Sequence, residues 1–113
     1  MYAEDFFSTA GEIEQIINLW SEYPFAPTPQ GLYHHSQAIL NSDTSARLGE
    51  IQCPTLVLAG RQDILAPIKH SEQLARGIAN AELVVLDRGG HGLVIESPEA
   101  VVSILLKFLA QNA

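Results

Sequence analysis

The chain has 113 residues, 47% of them hydrophobic, and thirteen acidic against six basic side chains give a net charge of −7. That is one domain's worth of chain and apolar enough to bury a core, which argues against disorder throughout. The acidity disfavours nucleic acid and anionic membrane surfaces as partners, and no apolar run approaches the roughly 20 residues of a transmembrane helix. Cys53, the only cysteine, has no internal partner for a disulfide, and the N-terminal MYAEDFF lacks the basic start of a secretory signal. A cytoplasmic location is the expectation.

In chain order, Ile13, Ile16, Ile17 and Trp20 fall on one face of a helix, with Ser8 or Thr9 as its cap and Glu12 completing a capping box. Pro24, Pro27 and Pro29 then break the helix. A second helix is expected over residues 31–41, followed by a turn at Asn41–Thr44 and a short connector at Arg47–Ile51. Thr55–Ala59 and Leu83–Leu86 are continuous apolar runs ended by glycine or a charged turn, which suits strands covered on both faces of a parallel sheet. Between them Ile68, Leu74, Ala75 and Ile78 have helical spacing, with Pro67 suited to the first turn, so the three elements form a right-handed βαβ unit. Ser97-Pro98-Glu99 starts a last helix, whose thin polar face predicts that it is largely buried.

Ligands of open α/β sheets sit beyond the carboxyl ends of the strands. Asp63, four residues past Ala59, and His91, five past Leu86, both lie there. Neighbouring parallel strands bring the two loops to one edge, where a carboxylate can orient an imidazole acting as general base. Taken singly, Asp63 reads first as a turn aspartate and His91 as a loop histidine among glycines. His34 and His35 are adjacent, hence about 100° apart on a helix and poorly placed to share a metal, and His70 falls on a helix surface. Cys53 reads as a small apolar filler and Glu96 as an acceptor for nearby backbone donors. Phe6, Phe7, Trp20, Tyr23 and Phe25 read either as the lining of an apolar acyl pocket or as core and interface aromatics. No glycine-rich phosphate loop and no zinc-ligand spacing occurs, so neither a metal nor a cofactor is expected, and a nucleotide-binding domain is disfavoured.

The run Leu48–Pro67, with Ile51, Pro54, Gly60 and Asp63 in order, then Gly90-His91-Gly92, Glu96-Ser97-Pro98 and a terminal helix ending Phe108-Leu109, resembles the C-terminal part of the α/β-hydrolase family. The separation of 28 residues from Asp63 to His91 suits that family. The resemblance implies an α/β fold, an incomplete α/β-hydrolase in which a βαβα unit with parallel strands (residues 48–113) follows cap-like helices (residues 1–47). It implies Asp63 as catalytic acid and His91 as catalytic base of a serine hydrolase acting on a carboxylic ester, lactone or related substrate, with a small apolar acyl group in the complete enzyme.

The family's nucleophile sits on a G-x-S-x-G elbow ahead of the acid and base. The residues two beyond each glycine here are Ile13, Tyr33, Ile51, Gln62, Ala79, His91, Gly92 and Val94, none of them Ser, Cys or Asp. The chain thus reads as acid and base without a nucleophile, inactive alone. Two strands with bare edges and an apolar last helix predict a homo-oligomer or association with a missing N-terminal half. The reading from another class is a non-catalytic oligomerisation or binding module derived from a hydrolase.

Overall fold

The computed structural model describes residues 2–3 and 11–113. Helix α1 spans Glu12–Ser21 as its apolar spacing predicts, with Gly11 at φ 91° as N-cap. The expected caps Ser8 and Thr9 lie outside the described residues. Helix α2 spans Pro29–Asn41, starting two residues earlier than expected. The cause is local: Pro29 ends the proline-rich break by occupying the first helical position, where no N–H is needed, and the Thr28 hydroxyl accepts from the Gly31 N–H at 3.0 Å. Residues 45–50 form a 3-10 helix (Ser45–Glu50) where only a connector was expected, and its Leu48 is buried.

Strand β1 (Thr55–Gly60), helix α3 (Ile68–Gly77) and strand β2 (Ala81–Leu86) follow, with β2 beginning two residues before the expected run. The strands pair in parallel, Thr55 opposite Ala81 and Gly60 opposite Leu86. The ladder starts one residue before that register, where the Thr55 N–H donates to the Asn80 carbonyl at 3.0 Å. Helix α3 packs on both strands and on the 3-10 helix. A short helix α4 (Leu93–Glu96) leads into α5 (Pro98–Gln111), which Pro98 opens from its first position. Side chains of Ile104 and Phe108 on α5 share a cleft with Leu56 and Val84 on the sheet. The alternate strand positions Val57 and Ala59 are buried, and with Leu48, Ile78, Leu93 and Val101 they make a small core.

Helix α5 departs from expectation. Only Val101 is buried, whereas Val102, Leu105, Leu106 and Leu109 are exposed, Leu106 at 62%. A two-stranded sheet is too narrow to cover more than one stripe of a helix that is apolar nearly all round. Cys53 is likewise exposed rather than buried filler. The radius of gyration is 16.5 Å, against about 13 Å for a compact chain of this length.

Gly60 ends β1 where the next chain segment passes closest: a side-chain carbon there would collide with the Gly89 and Gly90 backbone. Gly49 faces open space. We therefore expect Gly60→Ala to cost about 1–3 kcal/mol in urea unfolding, and Gly49→Ala to change stability by less than about 0.5 kcal/mol. Equal midpoints for the two variants would contradict the close approach of the loops.

Candidate functional site

The parallel pairing sends the chain out of β1 and β2 at the same edge, and two backbone hydrogen bonds and one side-chain ion pair then fasten the two exits together. The Arg61 N–H donates to the Leu86 carbonyl at 2.9 Å and the Gln62 N–H to the Gly89 carbonyl at 3.0 Å. An exposed ion pair, Arg61 Nε to Asp87 Oδ1 at 2.7 Å, spans the same gap, though exposed pairs contribute little energy. Gly89 has φ 143°, a conformation that glycine adopts at little cost, and this turns the chain toward Gly90 and His91.

This arrangement brings the two sequence-predicted site residues together. His91 Nδ1 lies 3.0 Å from Asp63 Oδ2. The other carboxylate oxygen, Asp63 Oδ1, accepts from the Leu65 and Ala66 N–H groups, both at 2.9 Å. Asp63 is therefore a turn aspartate and a histidine partner at once, one oxygen for each. The turn fixes the carboxylate plane, and that plane aims Oδ2 at the ring.

Burial pushes the Asp63 carboxyl upward, but the Ala66 N–H, the His91 ring and the Leu65 N–H outweigh it and hold the group below the usual carboxylate range. An ionised carboxylate only accepts. Nδ1 must then carry the proton of this contact, and Nε2 of a neutral ring is the nitrogen able to take one. The Asp63 side chain is 12% exposed and that of His91 47%, so the pair has a covered carboxylate and an open imidazole.

Glu96 does what its sequence position suggested and more. It accepts from the Gly90 N–H, at 3.0 Å from each oxygen, and its Oε2 also accepts from the Ala3 N–H at 2.8 Å. The Tyr2 ring lies where a side chain at Gly92 would stand. The Tyr2–Ala3 contribution has no sequence signal, because its partner lies 93 residues away.

The remaining candidates lie elsewhere. His34, His35 and His70 are exposed on their helices. Tyr23 and Phe25 meet edge to face at 6.1 Å, and both, like Trp20, are exposed; Phe6 and Phe7 lie outside the described residues. The hydroxyls of Ser21, Ser36 and Ser45 are engaged within their own turns. A surface cleft of about 370 Å³ is lined by Ser42–Ser45, Leu48 and residues of α3, without Asp63 or His91. Among the described residues no group of three or more His, Cys, Asp or Glu is placed to hold a metal ion, and no helix is long and apolar enough to cross a membrane.

The lowered Asp63 value fixes the sign of one pH effect. The folded state binds this proton less readily than the unfolded chain, so the stabilisation is complete above the ordinary carboxylate range and is lost as pH falls through the folded-state value. A carbon-13 titration of the Asp63 carboxyl should give a midpoint below that of an unfolded-chain aspartate, and His91→Ala should move it upward. An unchanged midpoint in His91→Ala would remove the ring from the causes.

Comparison with known proteins shows what the chain is similar to. The family model Abhydrolase_4, described as TAP-like protein, matches residues 33–113. The "Putative carbamate hydrolase RutD" of Caulobacter sp. (strain K31) is 38% identical over 87 residues, covering 77% of this chain and 32% of that protein. The AB hydrolase superfamily protein YisY of Bacillus subtilis (strain 168) is 37% identical over 78 residues, 69% of this chain and 29% of YisY. A thermophilic esterase structure from Thermogutta terrifontis superposes with a TM-score of 0.80 at 29% identity, covering 98% of this chain and 40% of the esterase. The chain thus spans about a third of the length of the curated relatives it matches. Its strands, its helices and the order of its loops are those of an incomplete α/β-hydrolase fold, and the chain belongs to the α/β-hydrolase family.

Proposed function

We propose that this chain is the acid-and-histidine portion of a serine hydrolase, inactive without a nucleophile supplied from outside its 113 residues. The observation that carries the reading is the 3.0 Å contact between His91 Nδ1 and Asp63 Oδ2, made by a carboxylate whose other oxygen is held by its own turn. In the reaction, His91 Nε2 takes the proton of a serine hydroxyl as that oxygen bonds to the substrate carbonyl carbon. Asp63 holds the ring in the required tautomer and stabilises the imidazolium. The imidazolium then protonates the leaving oxygen or nitrogen as its bond to carbon breaks, and water attacks the acyl-enzyme with His91 again as base.

The substrate class is a carboxylic ester, lactone or related acyl compound with a small apolar acyl group. Two matched proteins are named a putative carbamate hydrolase and an esterase, and carbamates and esters both present a carbonyl carbon bonded to a heteroatom leaving group. Residues 1–47 serve in this reading as part of a helical cap over the site. The lone exposed cysteine fits a reducing, cytoplasmic setting.

The exposed α5 face and the outer edges of the two strands need a covering. The N-terminal portion of a hydrolase core is the occupant we favour, because relatives of the matched family are about three times longer than the segment matched. A second copy of the chain is the alternative, and it corresponds to a non-catalytic oligomerisation or binding module.

Two experiments test this reading. Mixed with the separately expressed N-terminal two-thirds of RutD, the chain should restore hydrolysis of a p-nitrophenyl ester, and His91→Ala should lower the restored rate by roughly 10³-fold or more. Restored activity that survives His91→Ala would refute the assignment of the base. Alone, the chain should take no fluorophosphonate label; light scattering should show an oligomer that the N-terminal portion dissolves into a one-to-one complex. An oligomer that persists, with no complex, would favour the binding module.

A further inference from the structure

We infer that Glu96 is a positioning residue for His91, tying the histidine loop to the Tyr2–Ala3 segment through one carboxylate. The inference rests on the reading of His91 as general base. Both Glu96 oxygens stand 3.0 Å from the Gly90 nitrogen, and Oε2 stands 2.8 Å from the Ala3 nitrogen. Gly90 and Ala3 are both buried, so without Glu96 two backbone donors would be left unsatisfied away from water. The sequence around the base makes such a tie necessary. Gly89, Gly90 and Gly92 flank His91, and a loop this rich in glycine has little conformational preference of its own. Asp63 orients the ring through Nδ1, whereas Glu96 fixes the backbone from which the ring hangs.

The anchor is itself firm. Glu96 lies in α4, whose end is continuous with α5 through the Ser97 N–H to Leu93 carbonyl bond at 2.9 Å and the Val101 N–H to Ser97 carbonyl bond at 3.0 Å. Leu93, three residues before Glu96, is in the core. On the other side of His91 the Tyr2 ring closes on Gly92, so the N-terminal segment touches the loop both directly and through Glu96. The chemistry is specific to a carboxylate. It faces two donors and has only acceptors, and a glutamine of identical shape would turn an NH2 group toward one of them.

The test uses the full chain labelled with nitrogen-15. A downfield proton on His91 Nδ1, recognised by its loss in Asp63→Asn, reports the orientation of the ring. In Glu96→Gln we expect amide exchange at Gly90 and Ala3 to rise at least tenfold, and the His91 proton to broaden away or move upfield, with the rest of the amide spectrum retained. Glu96→Asp, which keeps the charge but withdraws it by one methylene, should give the same changes at smaller size and serves if the glutamine variant does not fold. A lowered unfolding midpoint with the His91 proton unmoved in both variants would make Glu96 a structural tie only and overturn the inference. Absence of any Asp63-dependent His91 proton in the unsubstituted chain, with Gly90 exchange still governed by Glu96, would instead refute the acid–base reading and the positioning role with it.

Discussion

The site depends on a single strand pairing. Because β1 and β2 run parallel and in register from Thr55–Ala81 to Gly60–Leu86, their exits leave the sheet side by side. Everything that follows is local chemistry acting across a gap of one strand spacing, about 4.8 Å. The backbone bonds from Arg61 and Gln62 to the β2 exit are a continuation of the ladder by other means. They are possible because Gly60 has no side chain to hold the Gly89–Gly90 backbone away. An antiparallel pairing of the same two runs would send Asp63 and His91 to opposite ends of the sheet.

The same narrow sheet that suffices to bring two loops together is too small to complete a core. Each strand has a neighbour on one side only, and the buried set is made of small or medium side chains such as Ala59, Val57 and Val101. A helix that is apolar nearly all round can bury only one stripe of its surface against two strands. Large apolar side chains of α5, and of α1 and α2, are therefore left exposed. The candidate site is uneven in the same way: the Asp63 carboxylate is covered, while the His91 imidazole stands about half open. A part of the molecule that depends on near neighbours in space is well formed, and a part that depends on distant layers is bare.

Legibility in the sequence divides along the same line. The apolar runs at Thr55 and Leu83, the Pro98 helix start and the placement of Asp63 and His91 beyond strand ends are all set by short-range pattern, and each is found where the pattern puts it. Boundaries differ where one or two residues change the local balance, as where Thr28 and Pro29 together open α2 inside what reads as a proline break. Helix α5 is exposed where its composition predicts burial, because hydrophobicity states what a helix needs, not whether the chain supplies it. The Ala3–Glu96 contact had no local signature at all, since nothing in residue type or spacing links positions 93 apart.

Asp63 shows why a bland and a sharp reading of one residue need not compete. An aspartate that caps its own turn loses rotational freedom, and its second oxygen is then aimed without further entropic cost. The histidine gains a preoriented acceptor, which is the condition for holding one tautomer. Such preorganisation needs no nucleophile to exist, so a chain lacking the serine elbow still folds the acid and the imidazole into register. Their geometry is a property of two strands and two loops: the parallel pairing carries both exits to one edge, and the turn aims one carboxylate oxygen at the ring.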